Sequence, residues 1–168
     1  MKNNKKEKGD RYIHPVPPLY NSKSKVLILG SFPSPKSREG KFFYHHPQNR
    51  FWKVMAAITG SPVPETIRQK KKLIADNNFA LWDVIASCRI TGASDSSIRD
   101  VVPADLSVIF DCAPIEKVFA NGGKAYQLYM KHLYGKFEYP IVKLPSTSPA
   151  NAGWSLERLI EAWEIVKL

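Results

Sequence analysis

The run KVLILG at residues 25–30 constrains this chain more than any other stretch. Four consecutive apolar residues leave no polar face, so a strand built from them is buried on both sides, as in a parallel sheet covered by helices. Residues 79–84, 117–120 and 140–144 are three further candidate strands. Helical patterns lie between them. Phe51, Met55 and Ile58 recur at helical spacing, residues 67–74 are amphipathic and basic, residues 106–110 form a short pattern, and residues 123–133 and 155–166 form longer ones. In the last, Leu156, Leu159, Ile160 and Trp163 share one face, with Ser155 as N-cap and Glu157 in the first turn. Alternating strands and helices predict a three-layer α/β/α sandwich with a four-stranded parallel sheet, whose ligand site lies at the carboxyl ends of the strands.

A length of 168 residues suits one domain. We read residues 1–24 as a basic tail and proline-rich lead-in, and residues 25–168 as the single domain. No apolar run approaches the ~18 residues that span a bilayer, and MKNNKKEKGDR has no apolar segment of a secretory signal. Cys88 and Cys112 lack CxxC spacing, which excludes a four-cysteine zinc or iron–sulfur site within the chain. The net charge of +10 points to a polyanionic partner, since each cation that meets a phosphate releases counterions. No basic amphipathic helix with aromatic anchors supports a membrane surface instead.

The unusual residues sit where the strands end. The first strand runs into GSFPSPKS (residues 30–37), then FFYHHPQNRFW (residues 42–52), with five aromatics, two histidines, an asparagine and an arginine. The second runs into WDVIASCR (residues 82–89) and Asp95-Ser-Ser. The third ends at Asn121-Gly-Gly-Lys124, and the fourth at LPSTSPANAG (residues 144–153). Four polar loops on one rim can stack on a base and hydrogen-bond its phosphates. Each has a plainer reading. Phe51 and Trp52 suit a core, His46-Pro47 a turn, Asn49 an N-cap, Asn121-Gly-Gly123 a tight turn and residues 146–148 turn hydroxyls.

GSFPSPKS followed by FYHHPQNRFW resembles the first active-site region of the uracil-DNA glycosylase superfamily. HPQNRFWK is similar to the string of the mismatch-specific uracil glycosylases. LWDVIASCR, DSSIRD, FANGGKAY and LPSTSPANAGWSLERLIEAW resemble the hypoxanthine-DNA (deoxyinosine) glycosylase branch most. The likeness spans about residues 25–166 and implies a four-stranded α/β/α sandwich. Phe32 stands where mismatch-specific enzymes have asparagine, and Leu144-Pro-Ser146 begins the last motif where several relatives have histidine. Both departures point away from efficient uracil excision. The resemblance assigns the catalytic amide to Asn49, whose carbonyl would orient a water toward C1′ of an oxocarbenium-like sugar. Phe32 would wall the base site, Tyr44 would stack on a flipped base, His45 would steady it or meet phosphate, and Asp83 would accept a base N–H or serve as a structural cap. Ser34, Lys36, Lys124, Ser146, Ser148 and Asn151 are the DNA contacts expected, with Pro149-Ala150 as the wedge.

The implied protein is a monofunctional, metal-free and cofactor-free hydrolase acting on DNA with a deaminated base, as a monomer, in the cytoplasm at the nucleoid. Uracil or a G:U mismatch is the alternative substrate, and a non-catalytic nucleic-acid-binding module the alternative class. A Rossmann-type nucleotide enzyme lacks GxGxxG after the first strand.

Overall fold

A computed structural model describes residues 9–91 and 95–167. Residues 1–8 of the expected basic tail lie outside them. Four parallel strands form the central sheet in the order β3-β2-β6-β7: β2 (Val26–Gly30), β3 (Phe79–Asp83), β6 (Lys117–Asn121) and β7 (Ile141–Leu144). All five residues of β2 are buried. Val26 and Ile28 pack into one core, with Phe51, Met55, Leu73, Ile74 and Trp163. Leu27 and Leu29 pack into the other, with Ile85, Leu106, Ile109 and Tyr129. The period of two thus feeds both faces of the sheet, as a continuous apolar run requires.

Helices α2 (Phe51–Thr59), α3 (Ile67–Asp76) and α7 (Leu156–Trp163) cover the first face. The Ser155 side chain accepts from the Arg158 N–H at the start of α7, as the cap requires. On the second face lie α4 (Ser107–Phe110), α5 (Gly123–His132) and α6 (Tyr134–Phe137). The three-layer parallel α/β expectation holds. A short α1 (Pro35–Gly40), capped by Ser34, stands where only a polar loop was expected.

Two expectations are corrected. A second, antiparallel sheet joins β1 (Asp10–Ile13), β4 (Ile85–Ile90) and β5 (Arg99–Pro103) in the order β1-β4-β5. Residues 85–89 are therefore a strand and not a rim loop. Their buried positions, Ile85, Cys88 and Ile90, fall off strict alternation because the β4–β5 register shifts twice. Residues 10–24, assigned above to the tail and lead-in, pack on the domain: β1 pairs with β4, and Leu19 exchanges two backbone hydrogen bonds with Leu81. That segment covers the open edge of β3, so residue 25 is not where the packed unit begins.

Candidate active site

Parallel register aligns the strand ends. Gly30 pairs with Asp83, Leu29 with Ala120, and Asn121 with Leu144. Gly30, Asp83 and Asn121 therefore stand in one row at the carboxyl edge of the sheet. Above that row opens a cleft of about 890 Å³, within the range of small-ligand sites. Its walls include Phe32, Ser34, Tyr44, Asn49, Asp83, Asn121, Lys124 and the loop after β7.

Gly30 creates the floor. A Cβ there would lie 2.3 Å from Asp83 Oδ1 and 3.3 Å from the Tyr44 hydroxyl. The missing side chain thus leaves room for a carboxylate oxygen and a phenol to flank one point. Asp83 is buried, and its Oδ2 is 2.6 Å from His14 Nε2. Oδ1 has no hydrogen bond among the described residues. The Tyr44 hydroxyl is buried and also has no hydrogen bond among the described residues. Burial, and then the charge of Asp83, push its pKa well above the ordinary phenol range, so it stays a donor. Asn121 lies near enough to oppose that shift slightly, without forming a good hydrogen bond. Tyr44 sits in the left-handed region, φ 51°, and its ring stacks on Phe51 at 4.0 Å. One ring face is therefore used internally.

Asn49 is fixed by its carbonyl. Oδ1 accepts from the Phe51 N–H at 3.0 Å and from the Thr147 hydroxyl at 2.8 Å. Both lone pairs are engaged, so the carbonyl expected to orient a water is occupied, and the amide nitrogen is the group without a hydrogen bond among the described residues. Thr147, fully buried, joins three motifs. Its N–H donates to Asn121 Oδ1 and its hydroxyl accepts from Asn121 Nδ2, each at 3.0 Å. Neither Thr147 nor Asn121 was among the site residues expected from sequence. A polar loop residue buried under its neighbours carries no composition signal, and Asn121-Gly-Gly reads as a turn.

The loop after β7 is held from α2. The Arg50 guanidinium donates to the carbonyls of Ser148 (3.1 Å), Asn151 (3.0 Å) and Trp154, and the Arg50 N–H donates to Thr147 O at 3.1 Å. Within the loop, Ser146 Oγ accepts from the Ser148 N–H, Ser148 Oγ from the Ala150 N–H, and Asn151 Nδ2 donates to Ser146 O. The turn reading of these residues is thus realised. Each hydroxyl hydrogen is still available to donate to a phosphate. Pro149 and Ala150 are exposed at the tip.

Of the residues expected at the site, Phe32, Ser34, Tyr44, Asn49, Asp83, Lys124, Ser146, Ser148, Ala150 and Asn151 line the cleft. Lys36, His45 and Pro149 do not. Lys36 is exposed on α1, and the His45 ring fills the space left by the missing side chain of Gly40. Asp95 also lines the cleft. Partial enclosure pushes its carboxyl pKa up, and Lys124 opposes this. Phe51 and Trp52 are core, as their plainer reading held.

Fold and cleft together define a parallel α/β sandwich with an amide, a carboxylate and a phenol gathered at its strand ends. The chain belongs to the uracil DNA glycosylase superfamily, whose sequence profile matches residues 17–167. It is 32% identical over 151 residues to a hypoxanthine DNA glycosylase of Methanosarcina acetivorans, covering 89% of this chain and 94% of that protein. A hypoxanthine DNA glycosylase of Methanosarcina barkeri is 33% identical over 112 residues, covering 65% and 70%. A solution NMR structure from Methanosarcina acetivorans, provisionally named a uracil DNA glycosylase, superposes with a TM-score of 0.77 at 28% identity, covering 92% of this chain and 99% of its own. Among the described residues, no helix is long and apolar enough to cross a membrane.

Proposed function

We propose that this protein is a monofunctional DNA N-glycosylase that removes a deaminated base, hypoxanthine first, acting as a monomer on DNA in the cytoplasm. The observation that carries this reading is the floor of the cleft, where the Tyr44 hydroxyl, a buried donor without a hydrogen bond among the described residues, and the acceptor Asp83 Oδ1 flank the space above Gly30. A buried polar group without a partner costs about 1–3 kcal/mol, so the Tyr44 hydroxyl, with the Asp83 Oδ1 acceptor beside it, argues for a ligand that satisfies it. The lactam edge of hypoxanthine fits: C6=O accepts from Tyr44 and N1–H donates to Asp83. Adenine presents the reverse, a lone pair at N1 and hydrogens at N6. Reading that edge requires a flipped nucleotide.

Uracil also carries an N–H beside a carbonyl, so the floor alone accepts it. The preference for hypoxanthine rests on the two relatives named for that base. With its carbonyl engaged, Asn49 meets the substrate as a donor. Its amide nitrogen stabilises the negative charge that develops on the departing base, and the oxocarbenium-like sugar needs little nucleophilic push from the water that captures it. Lys124 and the first turn of α5 favour phosphate, as do the Ser146 and Ser148 hydroxyls, and Pro149-Ala150 is the wedge.

Single-turnover assays on duplexes with deoxyinosine, deoxyuridine or deoxyxanthosine, read by alkaline strand scission, test this. Deoxyinosine is expected to be cut fastest. Release of no deaminated base by the wild type rules the reading out.

A further inference from the structure

We propose that His14, outside the motifs that mark the family, is a positioning residue for base recognition. It holds the Asp83 carboxylate so that Oδ1 is a fixed acceptor for the N–H of a lactam base. This rests on the base-pocket reading above.

The geometry leaves the imidazole little freedom. Its Nδ1 accepts the Val16 N–H at 3.1 Å, so the ring hydrogen sits on Nε2, the atom 2.6 Å from Asp83 Oδ2. That bond is a donation from imidazole to carboxylate, and it assigns Oδ2 to His14 and Oδ1 to the cleft. The ring packs edge-on against Phe32 at 5.7 Å and Trp82 at 6.3 Å. The His14 N–H donates to Ala86 O at 2.8 Å, and Trp82 Nε1 donates to Val16 O at 3.3 Å. Both side chains are nearly closed to solvent, at 5% and 6% exposure. A carboxylate deprived of this donor is free to turn, and turning removes the fixed acceptor that a lactam N–H requires.

The plainer alternative is a staple that merely ties residues 10–16 to β3. Four full-length proteins separate the two: wild type, His14→Phe, His14→Asn and His14→Gln. Phenylalanine keeps the ring packing and loses both nitrogens. Asparagine keeps an acceptor for the Val16 N–H but does not reach Asp83. Glutamine places an amide N–H where Nε2 was. Each is assayed for single-turnover excision of hypoxanthine, for half-saturating duplex concentration, for affinity to an undamaged duplex, and for thermal unfolding. The expected result is a fall of about 10²-fold in the chemical rate for the Phe and Asn variants, the scale of a misplaced contact. Duplex affinity is unchanged, and the Gln variant recovers most of the rate. Wild-type rates in a folded Phe or Asn variant overturn the proposal. So does a loss that tracks duplex affinity and unfolding temperature without recovery by Gln. If the Phe variant does not fold, the Asn and Gln pair decides by the same readings. A wild type that releases no base defeats the base-pocket reading itself, whereas an active wild type with insensitive His14 variants defeats only the role of His14.

Discussion

Asn49 is held through its carbonyl oxygen, and in the proposed function its amide nitrogen is left for substrate. Its Oδ1 accepts from the Phe51 N–H at the head of α2 and from the Thr147 hydroxyl, while the N-cap position expected at Asn49 falls one residue later, at Arg50. Aspartate at this position can accept the same two hydrogen bonds but cannot donate. Asn49→Asp is therefore expected to keep the unfolding temperature and lose about as much excision rate as Asn49→Ala, roughly 10²–10³-fold for a lost transition-state donor. An aspartate variant that retains the rate would restore the carbonyl, and with it the oriented water, as the working group. Asp83 gives the complementary test. In Asp83→Asn, His14 Nε2–H still calls for the amide oxygen, which turns the NH₂ toward the cleft and replaces an acceptor with a donor. Hypoxanthine excision should drop by about 10–10²-fold, the worth of a hydrogen bond to a charged group, with no change in affinity for undamaged duplex. Equal rates for the variant and wild type in single-turnover assays would remove Asp83 from base recognition.

At the scale of elements, the loop after β7 depends on α2. Three carbonyls of that loop share the Arg50 guanidinium, and Trp163 Nε1 of α7 donates to Pro145 O at 3.0 Å. Arg50→Ala should cost about 1.5–3 kcal/mol, the range for hydrogen bonds to a charged group. It should also weaken binding to a duplex carrying the damaged base. Denaturant unfolding and binding titrations check both, and an unchanged midpoint would mean the loop holds itself through Ser146, Ser148 and Asn151. Arg50 was legible as part of NRFW but its purpose was not, because its partners lie about a hundred positions away. The same contrast separates the strands. KVLILG shows its burial on both faces directly, and the four parallel strands follow. β1 has the burial pattern exposed, exposed, intermediate, exposed; backbone pairing to β4 makes it a strand, and no side-chain pattern announces it. His14 was missed for that reason, since its value comes from a neighbour in another sheet.

For the whole molecule, the question is how a net charge of +10 acts around a cleft of about 890 Å³. In the proposed function, the strand-end row would set where chemistry occurs, and the cations around it how long a duplex stays there. That row was partly legible: residues at the four strand ends were the ones singled out, but the order β3-β2-β6-β7 and the register that aligns Gly30, Asp83 and Asn121 depend on long-range pairing. Charge acts differently at the two lysines expected to meet phosphate. Lys124 lines the cleft in the first turn of α5, whereas Lys36 is exposed on α1 outside it. A lysine that neutralises one phosphate contributes about 0.9 to the slope of log K against log salt concentration. Lys124→Ala should lower that slope by about this amount and weaken deoxyinosine and undamaged duplexes alike, leaving the ratio of hypoxanthine to uracil excision unaltered. Lys36→Ala should leave the slope near its wild-type value. Titrations of both duplexes across a salt series decide it. An unchanged slope for Lys124→Ala would place the phosphate path elsewhere on the basic surface, and an altered base ratio would mean that Lys124 reads the base and not the backbone.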